Sequence, residues 1–122
     1  MRYPLLVLTA ALAATASAHA HEPRIGPNGG TLVDAGTHHV ELVANDTSVR
    51  IYLSDAADGP VSSDGFSGTA ILLVGGKPQR VTLEPSGGSE LSGEAAAPVP
   101  SPAKGAVQLT APDGATSQAK FN

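Results

Sequence analysis

The chain has 122 residues, a formal charge of -4, and neither cysteine nor tryptophan. A length of this order specifies one domain able to bury roughly 60–70% of its unfolded surface, with no disulfide to staple it. The mildly acidic balance, without a run of basic residues, counts against nucleic acid or anionic lipid as a partner.

Residues 1–18 read as a secretory signal peptide. Arg2 supplies a positive n-region, Pro4 to Ala14 form an apolar run shorter than a bilayer span, and Ala16-Ser17-Ala18 is a small-residue cleavage signature. Cleavage after Ala18 leaves His19 first, whereas the overlapping Ala18-His19-Ala20 signature leaves His21 first. The style of signal points to a bacterial periplasm. No cysteine offers a lipid anchor, and no other segment approaches the roughly 20 apolar residues of a membrane span. Loss of Arg2 makes the mature form one unit more negative.

Residues 19–30 form a polar, glycine-rich leader that ends in the turn cluster Gly26-Pro27-Asn28-Gly29-Gly30. A single β domain follows over 31–122. Thr31 to Val33 is a first strand, and His38 to Ala44 a second in which Val40, Leu42 and Ala44 alternate with His39, Glu41 and Val43. By that period of two, His39 and Glu41 share one side, and His38 shares the other with Val40 and Leu42. Asn45-Asp46 turns the chain into Val49 to Leu53. Asp55 to Gly68 is a polar connection with an edge strand at Val61. Thr69 to Val74 is almost continuously apolar, which predicts a strand buried on both faces. Gly75-Gly76 is a hairpin signal, followed by strands at Gln79 to Leu83 and Glu90 to Glu94. The Pro/Ala-rich stretch 95–104 is expected to be an extended, mobile connector. A last hairpin joins Ala106 to Thr110 with Ser117 to Phe121.

About seven or eight short strands with no helical period predict an antiparallel β-sandwich of immunoglobulin-like type, with a small β-barrel as the alternative.

All four histidines, His19, His21, His38 and His39, lie at or before position 39. Neutral imidazole is the commonest protein ligand for Cu, Ni and Zn, so this clustering points to a transition metal. A terminus reading His19-Ala20-His21 offers an α-amine, two backbone amides and the His21 ring as a square-planar site for Cu(II) or Ni(II). If His21 is first, its amine and ring form two arms, with Glu22 as a further donor. His39 and Glu41, on one strand face, make a second two-point candidate. His38 is the weaker candidate, because neighbouring strand residues point to opposite faces.

Other motifs argue for turns. Gly26 to Gly30 lacks the lysine and following helix of a phosphate loop. The spacing of Asp55, Asp58 and Asp64 misses the EF-hand pattern. No cysteine, no G-x-S-x-G elbow and no Ser placed by sequence near a His and an acid supports nucleophilic catalysis, so the reading is not an enzyme. With only Tyr52, Phe66 and Phe121 as aromatic residues after the signal, no base- or sugar-stacking platform is expected.

The stretch GPNGG, then Leu32-Val33-Asp34-Ala35-Gly36, His39-Val40-Glu41-Leu42, the run from Val49 to Asp55, Gly68-Thr69-Ala70, Gly76-Lys77 and Gln118-Ala119-Lys120-Phe121 resemble a group of small, uncharacterised exported proteobacterial β-domain proteins. GPNGG with the Val40-Glu41-Leu42 strand is also similar to a segment in periplasmic adaptor subunits of heavy-metal efflux pumps, and that likeness implies a metal-homeostasis setting. The function expected is a periplasmic accessory that binds Cu, Ni or Zn in connection with efflux. The alternative is a non-catalytic protein-interaction module.

Overall fold

The computed structural model describes residues 22–122. The expected signal peptide, together with His19 and His21, lies outside the described residues. Those described fold into nine strands and no helix: β1 (Arg24–Ile25), β2 (Thr31–Ala35), β3 (His38–Asn45), β4 (Ser48–Ser54), β5 (Ser67–Val74), β6 (Lys77–Pro85), β7 (Glu90–Glu94), β8 (Gly105–Thr110) and β9 (Thr116–Phe121). The all-β expectation holds.

Every pairing is antiparallel, in the order β1-β2-β3-β4-β7-β6-β5-β8-β9. The sheet curls into a half-barrel, in keeping with the barrel alternative. Its turning point is β6, whose residues 77–83 pair with β5 while Glu84 and Pro85 pair with β7. One half, β1-β2-β3-β4-β7, thereby faces the other, β6-β5-β8-β9. The curl brings β9 beside β2, although no ladder joins them.

The alternation seen in the sequence supplies the core. Val40 and Leu42 from β3, Val49, Ile51 and Leu53 from β4, and Leu91 from β7 pack against Ala70, Leu72, Val81, Leu83, Val107, Leu109, Ala119 and Phe121 from the other half. These form one cluster, as expected of a chain that must stabilise itself by apolar burial alone. Tight two-residue hairpins set the registers. At the β5–β6 turn both Gly75 and Gly76 take positive φ, 58° and 77°, the geometry that suits the twist of the flanking strands.

Three expectations are corrected. Val61 is not in a strand: the segment contributes one bridge, between Ser54 and Pro60, and the Val61 amide donates to the Leu53 carbonyl. The 95–104 connector is pinned rather than loose. Ala95, Val99 and Ala103 are buried, and the amides of Ala95 and Val99 donate to the carbonyls of Thr47 and Asp46, each at 2.8 Å. With its amide turned to face them, the Gln79 oxygen accepts from Ala96 and Ala97 at 2.8 and 3.1 Å. Strand β5 is buried on one face only. Ala70 and Leu72 point into the core, but Ile71 is half-buried and Leu73 is 44% exposed, because no element covers the outside of that half.

Gly93 in β7 sits where the sheet turns, and a Cβ there would overlap the Thr82 carbonyl oxygen of β6. Gly93→Ala should therefore force the two halves apart and cost about 1–3 kcal/mol in urea denaturation, as overpacking does. Gly114→Ala, whose Cβ would meet nothing, is the comparison; it carries only the strain of a φ of 87°.

Candidate functional site

The side chains expected to carry chemistry project from the outer face of β3. Cross-strand pairing puts Leu32 opposite Glu41 and Asp34 opposite His39 on β2, with Tyr52 and Ser54 opposite them on β4. Such partners share a face. This face would be open to water, yet Glu41 is 1% and His39 7% exposed. Two loops roof it: Gly26–Gly30, between β1 and β2, and residues 55–59, after β4.

A buried carboxylate must be hydrogen-bonded, and Glu41 is. Its Oε2 accepts from the backbone amides of Asn28 at 2.9 Å and Gly30 at 2.8 Å. Its Oε1 accepts from the Asn28 side-chain amide at 3.0 Å and, more weakly, from the Asn28 backbone at 3.2 Å. The loop closes on itself as the Gly26 amide donates to the Gly30 carbonyl and the Gly29 amide to that of Gly26. So close an approach dictates glycine. A Cβ on Gly26 would overlap the Glu41 carboxyl group, and one on Gly30 would overlap the Leu42 carbonyl.

His39 is held between two acids. Its Nε2 lies 3.2 Å from Asp34 Oδ1 and its Nδ1 lies 3.0 Å from Asp58 Oδ1. An imidazolium donates to both; a neutral ring donates to one only. Arg24 Nη2 stands 3.4 Å from the same Asp58 oxygen, so Arg24 and His39 converge on one carboxylate. The roofing loop aims Asp58 there. Asp55 Oδ1 accepts from the amides of Ala57 and Gly59, at 2.9 and 2.8 Å, and Asp58 adopts a φ of 63°, a conformation aspartate tolerates. His38 points away, its ring edge-on to Phe66 with centroids 5.9 Å apart.

His39 and Glu41 thus share a face as the alternation requires, but as arranged they do not fit a metal. Glu41 is saturated by loop donors. The nitrogens of His39 diverge toward separate carboxylates, so Asp34 and Asp58 flank the ring on two sides and the three side chains do not converge on a common point. Among the described residues no group of three His, Asp or Glu side chains is placed to hold an ion. Between the two loops a cleft of about 230 Å³ is lined by Asn28, Leu32, Glu41, Tyr52, Asp58 and Pro60. Sequence reasoning missed Asn28, Arg24, Asp34 and Asp58 as partners in this network. The one available signal was a glycine-rich turn next to a strand bearing an acid on its polar side.

No protein-family model matches the chain, and comparison with curated proteins and with solved structures finds no match either.

Glu41→Gln keeps the shape but turns an NH2 toward backbone N–H donors. We expect a loss of about 1–3 kcal/mol in global stability, the cost of leaving buried donors unsatisfied. The opening should be felt first at β1, so tryptic cleavage after Arg24 should accelerate about tenfold relative to cleavage after Arg80. Equal acceleration at both sites would mean that Glu41 supports the domain as a whole and not the loop.

Proposed function

We propose that this chain is a non-catalytic, exported metal-binding accessory whose metal site is the N-terminal leader, His19 to Glu22, carried on a rigid β domain. The observation that supports the reading is where the histidines fall. Two of the four precede Arg24 in a chain that has none after His39, and the first turn beyond them is clamped by Glu41. The efflux-adaptor resemblance of the same turn and strand supports a role in periplasmic metal homeostasis, as a buffer or delivery partner for Cu, Ni or Zn. His39 and Glu41 then serve the anchor and not the ion.

The second reading, a protein-interaction module, is favoured by β1. Among the described residues this two-residue edge strand pairs only with β2, and Ile25 is 80% exposed, an edge that an extended partner segment can extend.

N-terminal mass spectrometry of the exported protein, then titration with Cu(II), Ni(II) and Zn(II), separates them. A His19 terminus should give a four-nitrogen Cu(II) spectrum by visible absorption and electron paramagnetic resonance. That spectrum should vanish in His21→Ala and persist in His39→Asn. Failure of all three metals to bind tightly at either terminus would sink the metal reading and turn effort to periplasmic crosslinking.

A further inference from the structure

The described residues carry six Lys and Arg side chains. Arg24 and Arg50 are ion-paired, to Asp58 at 3.4 Å and to Glu90 at 3.3 Å. The other four, Lys77, Arg80, Lys104 and Lys120, are exposed and form no ion pair among the described residues. All four lie at one end of the half-sheet β6-β5-β8-β9.

Register fixes their arrangement. Arg80, Ile71, Ala106 and Lys120 are successive cross-strand partners and form one straight row across the outer face. The next row holds Pro78 and Leu73, and the Leu73 amide donates to the Lys104 carbonyl at 2.9 Å. Lys77, at the end of the β5–β6 hairpin, pairs with Val74, which packs on the core, so by register it belongs to the other side of the sheet. At the centre stands Leu73, one of two large hydrophobic side chains exposed among the described residues. The row on the far side of Ile71, Thr82-Thr69-Gln108-Gln118, is polar and uncharged. Among the described residues, acids occur only at the borders of this face. Glu84 lies beyond that polar row, Asp113 lies in the β8–β9 turn, and Glu22 and Asp34 share a groove with Lys120 on the β2 side.

We propose that this face docks on an anionic bilayer surface, with Leu73 and Ile71 directed at the headgroups and Arg80, Lys104 and Lys120 around them. The face carries no aromatic side chain, and two of its three cations are lysines, which protein interfaces avoid and anionic membranes attract. The net negative charge does not forbid this. Its acids lie mainly on the opposite half and its loops, and screening over a Debye length of about 8 Å at physiological ionic strength separates the two sides. Composition hides this separation, because only the fold sorts the charges.

The test is co-sedimentation of the mature protein with vesicles of phosphatidylglycerol mixed with phosphatidylcholine, against phosphatidylcholine alone. Binding is expected only to the mixed vesicles and should fall as salt is raised. Each basic side chain removed should weaken partitioning roughly fivefold, so K104Q/K120Q should lose on the order of 25-fold. The control N45D/A56E makes the same change in net charge at exposed positions of the other half and should bind almost as the parent does. No sedimentation with phosphatidylglycerol overturns the proposal. Equal losses in both variants also overturn it, by reducing the effect to net charge. So does equal binding to both vesicle types. Binding of polyglutamate at this face without vesicle binding would replace the membrane by an acidic protein.

Discussion

The Glu41 carboxylate is the constraint on which the outer side of the first half-sheet depends. A charged group at this depth is tolerated only because Asn28 and Gly30 turn their N–H groups onto it, and hydrogen bonds to a charged acceptor are stronger than neutral ones. The chain therefore has to pass close over β3, and Gly26 and Gly30 follow from that closeness. Once the loop is fixed, β1 is fixed beside β2, and Arg24 arrives where it can share Asp58 with His39. One buried acid thus organises the strand pairing and the charged network around it.

The two halves of the sheet use a common core but treat their outer faces differently. Around β3 and β4 the outside is roofed by loops, and Glu41 and His39 are held there by loop amides and by neighbouring acids. Around β5 and β8 it is bare, and its cations form no ion pair among the described residues. Both follow from chain connectivity. The segments before β2 and after β4 return over the first half, whereas the 95–104 connector spends its apolar residues on the core and leaves the second half's outer face uncovered.

Much of the fold was legible in the sequence for a simple reason. Val40 and Leu42, or Val49, Ile51 and Leu53, alternate cleanly, and Gly75-Gly76 reports a turn that its own backbone requires. The run at β5 misled because Ile71 and Leu73 are as apolar as Leu72; composition within a strand cannot say whether a neighbouring element covers it. The 95–104 connector misled because proline and alanine look like linker, although Val99 and Ala103 find apolar partners far away in sequence. At the site, the alternation put His39 and Glu41 together on one face. Their partners were not legible, because Asn28 and Asp58 reach them from loops whose paths depend on tertiary contacts.

The dual pairing of β6 also bears on how the protein comes apart. Its first seven residues belong to one half and its last two to the other, and Val81 and Leu83 lie in the shared core. Neither half has a hydrophobic interior of its own to retreat to. Pulling β6 away strips both at once, so the two halves should melt as a single cooperative unit, with no half-folded species persisting for proteases to find.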